Sequence, residues 1–360
     1  MLKNFDNSEF TENLDKRQTT TIVDNMFLFS AIWSICITCS TEDRRNIDAH
    51  MKKVLDGNIE GIAKFQGNKK ILPAKFDKGT IFDYVYDPKE NTWKQWMEDV
   101  NKDEISNFPK EAKVQDIIVT TVDTIRYSYI QKFCILNEIP TLFVGPTGTG
   151  KSVYIQNVLY NQLNGPDENK YQSIEIGFSA QTSCNQVQDI IDGRLEKRRA
   201  GVFGARMGQK IIIFVDDLNM PKVETYGAQP PIEILRQMLD QGGWYDLKDT
   251  KHPFRTFIDT MLICAMGPPG GGKAKITPRL QRHMNVVAFA FFDDNTMKSI
   301  YGSILKWFFR TGEFSSDIAS LESNLVEATL SIYKQIQQDM KPTPAKSHYT
   351  FNLRDFSKII

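Results

Sequence analysis

At 360 residues the chain is too long for one small core, and its length suggests two or three domains. A hydrophobic fraction of 41% and a charged fraction of 24% are ordinary for a soluble globular protein. Lys and Arg together number 44, as do Asp and Glu, so the basic excess that normally marks a nucleic-acid surface is missing and no nucleic-acid partner is expected.

The first region, residues 1–109, opens helically, with a helix expected over about 22–39. Its most apolar stretch, 26–39, is shorter than the ~20 residues a membrane span needs, and Asp24 and Glu42 flank it closely. It starts too far into the chain, and without a basic leader, for a signal peptide. It reads as a buried helix, and no membrane partner is expected. Cys36 and Cys39 form a C-x-x-C without a second pair or a His cluster, which reads as two buried helix cysteines rather than a metal or redox site. The five cysteines are odd in number and scattered, which argues for a reducing compartment rather than a disulfide framework. Thr41 reads as the N-cap of a second helix to about residue 55, stopped by Asp56-Gly57-Asn58. Residues 80–86 alternate loosely and read as a strand, and Trp93 and Trp96 come next in a stretch suited to docking on a neighbouring surface.

In the second region, residues 110–294, short apolar runs alternate with amphipathic helices. The runs are 141–144, 173–178, 211–215, 257–265 and 286–290. Continuous apolar strands alternating with helices predict an α/β domain built on a five-stranded parallel sheet covered on both faces. One helix is expected over 152–163, burying Ile155, Val158, Leu159 and Leu163 and ended by Asn164-Gly165-Pro166. Another begins at Pro231, buries Ile232, Leu235, Met238 and Leu239, and stops at Gly242-Gly243. The third region, residues 295–360, reads as helical. Met297, Ile300, Tyr301, Ile304, Leu305 and Phe308 trace one helical face, and Leu325, Ala328, Ile332 and Ile336 a second. Pro342 and Pro344 interrupt the chain, which then stops at Ile360 inside an expected helix, so the sequence reads as a piece of a longer one.

Between the first apolar run and its helix lies Gly145-Pro146-Thr147-Gly148-Thr149-Gly150-Lys151-Ser152, a complete G-x-x-x-x-G-K-[ST]. The glycines let backbone N–H groups curl around phosphate oxygens with no Cβ in the way. Lys151 brings positive charge to the β- and γ-phosphates, the Ser152 hydroxyl ligates Mg²⁺, and the helix N-terminus points at the anion. ATP and Mg²⁺ are therefore the expected ligands. The run Ile211-Ile-Ile-Phe-Val-Asp216-Asp217 ends a buried strand in carboxylates, about two βα units after Lys151. Asp216 is placed to hold Mg²⁺ through its water shell, and Asp217 to orient the attacking water.

Ile213-Phe-Val-Asp-Asp-Leu-Asn-Met-Pro221, Tyr226-Gly-Ala-Gln-Pro-Pro-Ile-Glu and Gln241-Gly-Gly-Trp-Tyr245, together with Gly145-Pro-Thr-Gly-Thr-Gly-Lys-Ser-Val, resemble the third AAA+ module of an axonemal dynein heavy chain. Cys264-Ala-Met-Gly-Pro-Pro-Gly-Gly-Gly272 and Ile276-Thr-Pro-Arg-Leu-Gln-Arg-His283 resemble the subsequent turn and arginine region, and His348-Tyr-Thr-Phe-Asn-Leu-Arg-Asp-Phe356 the lid. Phe27-Leu-Phe-Ser-Ala-Ile-Trp-Ser-Ile35 resembles the end of the second module.

The resemblance implies a division into the end of a preceding module at 1–109, a large α/β nucleotide-binding domain at 110–294 and a small helical lid at 295–360. It makes Arg354 the lid arginine that reaches the γ-phosphate. It makes Arg279 or Arg282, with Arg279 preferred, an arginine finger that serves the neighbouring module. The adenine is expected against Ile117, Ile118 and Val119, which read equally well as a core strand. Asp217 stands where the family usually has a longer Glu, and Gly267 where many AAA+ proteins have a polar sensor. Both departures predict slow hydrolysis.

By the same resemblance, the chain carries a regulatory ATP site in a microtubule motor of the ciliary axoneme. Neighbouring AAA+ modules, microtubules and dynein intermediate and light chains are its implied partners. A module that binds nucleotide permanently and hydrolyses nothing is the alternative. An AAA+ remodelling ATPase is a third reading. It requires an exposed pore-loop aromatic, for which only Phe203 offers itself, in a segment (199–204) that reads as a β-hairpin. No sustained heptads announce a coiled-coil stalk, so motility is implied by the resemblance alone.

Overall fold

The computed structural model describes residues 15–56, 76, 78–98, 100, 108–114, 117–165, 168–346 and 348–360. These fall into two compact units, formed by the described residues of Met1–Arg126, Thr147–Thr149 and Ala290–Ile360, and of Tyr127–Pro146 and Gly150–Phe289.

In the first unit, helix α1 (Lys16–Ser34) begins six residues before the expected start. Its early turns are polar, so hydropathy does not reveal them. Asp15 and Gln18 form a capping box, and the hydroxyls of Thr19, Thr20 and Thr21 bond back to carbonyls four residues earlier. A 3₁₀ turn (Cys36–Thr38) comes next. The stretch Lys16–Thr38 is long and apolar enough, by length and composition, to cross a membrane, with a mean hydropathy of 1.5 in its most apolar window. One side of it is nevertheless buried on its own hairpin. Trp33 meets Phe82 and Trp96 edge-on, and Asn25 accepts a hydrogen bond from Trp93. Cys36 and Cys39 are not buried in a helix as expected. Both are half-exposed in and after the 3₁₀ turn, because α1 ends at Ser34.

Helix α2 (Thr41–Leu55) is capped by Ser40 rather than Thr41, since the Ser40 hydroxyl accepts from Asp43 N–H. Its C-cap is Asp56, while Gly57 and Asn58 lie outside the described residues. The expected strand at 80–86 starts instead as a 3₁₀ turn (Ile81–Asp83), because the Asp83 carboxylate caps Thr80 N–H. Strand β1 (Tyr84–Asp87) then pairs antiparallel with β2 (Thr92–Gln95). Trp93 packs on Phe29, Phe76 and Tyr86, and Trp96 donates to the Phe82 carbonyl, so both tryptophans are docked within their own unit. Residues 117–121 are irregular rather than a strand, and lead into α3 (Val122–Leu136).

The second unit carries the sheet. In chain order its elements are β3 (Thr141–Val144), α4 (Lys151–Asn157) continuing as a π turn (Val158–Gln162), β4 (Tyr171–Gly177) and α5 (Cys184–Asp192). Next come β5 (Glu196–Arg199), β6 (Val202–Gly204), β7 (Lys210–Asp216), α6 (Pro230–Gln241) and β8 (Gly243–Tyr245). The last are β9 (Phe254–Ile258), β10 (Thr260–Met266), α7 (Pro278–Gln281) and β11 (Asn285–Ala288). Five strands form a parallel sheet in the order β11-β3-β10-β7-β4. The run 257–265 is not one strand but parts of two. The chain turns at Asp259, with φ +54°, out of β9 and into β10. Strand β9 belongs to a second sheet, β5-β6-β9-β8, where Phe257 packs edge-on against Trp244.

The chain then returns to the first unit with α8 (Asp294–Thr311), α9 (Ser316–Ala319), α10 (Glu322–Asp339) and α11 (Leu353–Ile359). On α8 the expected face is shifted at its end. Phe308 is exposed, and Trp307 and Phe309 are buried, with Trp307 donating to the Pro109 carbonyl. On α10 the expected face is wrong by one residue. Val326 and Leu330 are buried, whereas Leu325 is 46% and Ile332 59% exposed. This helix carries two adjacent apolar stripes, and the one around Val326 meets Met297, Leu305, Leu353 and Phe356 in a small helical core.

Candidate functional site

Strand register puts the carboxyl ends of the sheet side by side. Val144 lies opposite Met266 on one side and Ala288 on the other, and Asp216 lies opposite Gly177. Ligands of open parallel sheets bind at this edge, outside the carboxyl ends of the strands. Gly145 N–H, the first residue after β3, donates to the Met266 carbonyl at 3.2 Å.

The phosphate-loop sequence leaves β3 and enters α4 here. Gly148 and Gly150 have φ of +89° and +74°, conformations that L side chains rarely adopt. A Cβ on Gly145 would lie 2.6 Å from the Phe289 Cβ. Gly150 is the N-cap of α4 and offers no capping side chain, so the positive end of this helix faces the loop without a side-chain cap. The Lys151 ammonium lies inside the loop, donating to the carbonyls of Gly145 at 2.7 Å and Pro146 at 2.6 Å. An aromatic stack not foreseen in the sequence braces the loop. Phe289 stacks on Tyr127 at 3.9 Å and on Tyr154 at 6.1 Å, and Tyr127 donates to the Ala288 carbonyl. Its three residues are far apart in sequence, and the only visible hint was the aromatic ending of the last apolar run.

The structure brings the two halves of the expected site together. The Ser152 hydroxyl donates to an Asp216 carboxylate oxygen at 2.6 Å, across 64 residues of sequence. The other Asp216 oxygen accepts from Asp217 N–H. Asp217 has φ +52°, a half-exposed side chain, and an ion pair with Lys273 at 3.0 Å. The turn after β7 is fastened to the loop after β10. Asn219 donates from its amide to the carbonyls of Gly267 and Ala274, and its own backbone carbonyl accepts from Ala274 N–H.

These groups fit a nucleoside triphosphate with Mg²⁺. A hydroxyl and a carboxylate already in hydrogen-bond contact, beside a glycine loop with an uncapped helix start, match the habit of Mg²⁺ in such sites. That ion takes one or two protein oxygens and completes its shell with phosphate and water. Among the described residues there is no group of three or more His, Cys, Asp or Glu side chains that could hold a metal ion. All five cysteines are free, and burial pushes the thiols of Cys36, Cys134, Cys184 and Cys264 up from their ordinary range.

The remaining expected residues lie elsewhere. Arg279 is exposed on the short helix α7 and makes no side-chain hydrogen bond or ion pair among the described residues. Arg282 donates to Asp240 at 2.6 Å, and that bond, with a second from Arg236 and the nearby charges of Arg282 and His283, holds the Asp240 carboxyl below its ordinary range. Ile118, Val119 and Arg354 belong to the first unit with the loop apex, Thr147–Thr149. Within that unit Val119 is buried and Ile118 half-buried. Arg354 is exposed in the first turn of α11, and a Cβ on Gly148 would come to 3.0 Å from the Cβ of neighbouring Leu353. Phe203 sits in the expected hairpin, β5–β6, with the Arg255 guanidinium 4.8 Å above its ring. It is half-buried and not a projecting aromatic.

Comparison with known proteins bears on the same residues. The family described as P-loop containing dynein motor region matches residues 106–292. The dynein heavy chain AAA lid domain matches 1–98, and the AAA+ lid domain matches 325–360. Among curated proteins, dynein axonemal heavy chain 12 of Mus musculus is 49% identical over 336 residues, covering 93% of this chain and 11% of that protein. Dynein axonemal heavy chain 3 of Mus musculus is 42% identical over 354 residues, covering 98% and 8%. Dynein axonemal heavy chain 1 of Homo sapiens is 39% identical over 364 residues, covering 94% and 8%. The chain therefore spans about a tenth of the length of these relatives.

Proposed function

The chain belongs to the dynein heavy chain family, and from that premise we propose that it is the third AAA+ module of an axonemal heavy chain, carrying a regulatory ATP·Mg²⁺ site with slow hydrolysis. The observation that carries this reading is the Ser152–Asp216 contact at 2.6 Å beside the phosphate loop. In this reading Gly145 to Ser152 cradle the phosphates, Lys151 neutralises them, and Ser152 and Asp216 hold Mg²⁺. The ion supplies charge neutralisation across the β- and γ-phosphates. Asp217 orients the water. Its carboxylate is one methylene shorter than Glu and shares an oxygen with Lys273, and both features favour a low rate.

The family matches and the helical core of α8, α10 and α11 support a division into a preceding lid at 1–109, a large domain at 110–294 and a small lid at 295–360. Arg354 serves as the lid arginine. Ile118 and Val119 line the adenine. Arg279 rather than Arg282 is the finger for a neighbouring module, because the Arg282 guanidinium is already engaged by Asp240. The whole protein acts on microtubules in the axoneme of a cilium or flagellum, with its own neighbouring AAA+ modules and dynein intermediate and light chains as partners.

The Asp217–Lys273 pair also favours a second reading, in which nucleotide is bound permanently and not hydrolysed. Single-turnover measurement with γ-labelled ATP separates the two. Slow release of phosphate, abolished in Asp217→Asn, is the expected result. No release over hours leaves the permanent staple, and fast release contradicts a regulatory site.

A further inference from the structure

Lys273 was not singled out in the sequence, yet its side chain enters the site from an unusually well-fixed loop. Gly270, Gly271 and Gly272 have φ of +124°, +58° and +89°, and Gly270 and Lys273 exchange backbone hydrogen bonds at 3.0 and 3.1 Å. The next residue, Ala274, is held through both its N–H and its carbonyl by Asn219. So the backbone of Lys273 is defined on both sides. Its ammonium ends 3.0 Å from Asp217 Oδ1, with the side chain 23% exposed.

The same ammonium fills the space that a side chain at position 267 would occupy. A Cβ built on Gly267 would lie 2.7 Å from Lys273 Nζ and 2.9 Å from its Cδ. Gly267 directly succeeds Met266, whose carbonyl is bonded by Gly145 at the start of the phosphate loop. Lys273 therefore places a positive charge on a flexible stem between the water-orienting carboxylate and the strand end next to the loop. Glycine at 267 and lysine at 273 form one arrangement: the first lacks a side chain, and the second uses the room.

We propose that Lys273 is the γ-phosphate sensor of this module, its ammonium shared between Asp217 and the terminal phosphate of a bound nucleoside triphosphate. The proposal rests on the reading of the loop as an ATP site and deepens it. A lysine ammonium has three donors on a flexible stem, so it serves both anions without moving the backbone. A nucleoside diphosphate lacks the second partner, and the ammonium then stays on Asp217. Lys273 thereby couples the presence of the γ-phosphate to the freedom of Asp217.

The test compares equilibrium affinities for ATPγS and ADP, each with Mg²⁺, in the 360-residue chain carrying Lys273→Met or Lys273→Arg. For Lys273→Met the expected result is about a tenfold loss for ATPγS with ADP affinity held within about twofold, the size of one charge-assisted hydrogen bond. Lys273→Arg restores most of the ATPγS affinity, which a purely structural loop residue need not do, and thermal unfolding confirms that both variants fold. Equal losses for the two nucleotides, or no loss for either, overturn the proposal while leaving the ATP site in place. A wild-type chain that binds neither nucleotide overturns the ATP-site reading itself.

Discussion

In the proposed site Lys151 and Ser152 are adjacent but have different roles, and substitution separates them. Removing the Lys151 charge takes away a charge-assisted hydrogen bond worth about 1.5–3 kcal/mol, so Lys151→Ala is expected to weaken ATP and ADP binding by roughly ten- to a hundredfold. Ser152→Ala and Asp216→Asn should instead remove the dependence of affinity on Mg²⁺. Titration of each variant with and without the ion checks this, and a variant that keeps the full Mg²⁺ effect contradicts the assignment of Ser152 and Asp216. At this scale the sequence was most informative where a motif is contiguous. The eight loop residues stand out as one contiguous motif, and Asp216 as the carboxylate that ends an apolar run. The braces around them do not stand out. Phe289, Tyr127 and Tyr154 are brought together by tertiary packing, and beyond the aromatic in the last apolar run nothing local announces their stack. Lys273 was invisible for the same reason, since its partner is 56 residues away.

The loop between β3 and α4 depends on packing that a single methyl group disturbs. A Cβ on Gly145 would meet the Phe289 Cβ at 2.6 Å, and Phe289 is held by its ring stack and by its N–H bond to Val144. Overpacking of this kind costs about 1–3 kcal/mol, so Gly145→Ala is expected to lower the thermal midpoint by several degrees and to weaken nucleotide binding. An unchanged midpoint would show that Phe289 yields freely. Two elements also mark the limit of pattern reading. The run 257–265 is apolar in most of its length, and hydropathy has no means to show that the chain switches sheets at Asp259. Helix α10 has apolar residues on two adjacent stripes, so periodicity gives the helix but not the buried side. The contacts of Val326 and Leu330 with the neighbouring helices decide it.

Among the apolar cores of the described residues, one lies around the parallel sheet and Trp244 and another among α8, α10 and α11 around Phe356. Trp244→Ala and Phe356→Ala should each cost about 3–5 kcal/mol, and because the two side chains share no core neighbours the double variant should be additive to about 0.5 kcal/mol. Denaturant unfolding of the single and double variants checks this, and strong coupling would mean that the cores fold as one. The parallel sheet and the helical C-terminal region were legible from the alternation of apolar runs and amphipathic helices. The discontinuous make-up of the first unit, which joins segments from both ends of the chain, was not, because only tertiary contacts create it. The loop from Gly145 to Ser152 is the proposed ATP·Mg²⁺ site of the whole chain. Calorimetric titration of the wild-type chain and of Lys151→Ala with ATP in the presence and absence of Mg²⁺ tests that assignment most directly. Saturable, Mg²⁺-enhanced binding by the wild type that is lost or strongly weakened in Lys151→Ala is the predicted result. No binding by a folded wild-type chain, or binding that Lys151→Ala leaves unchanged, would contradict it.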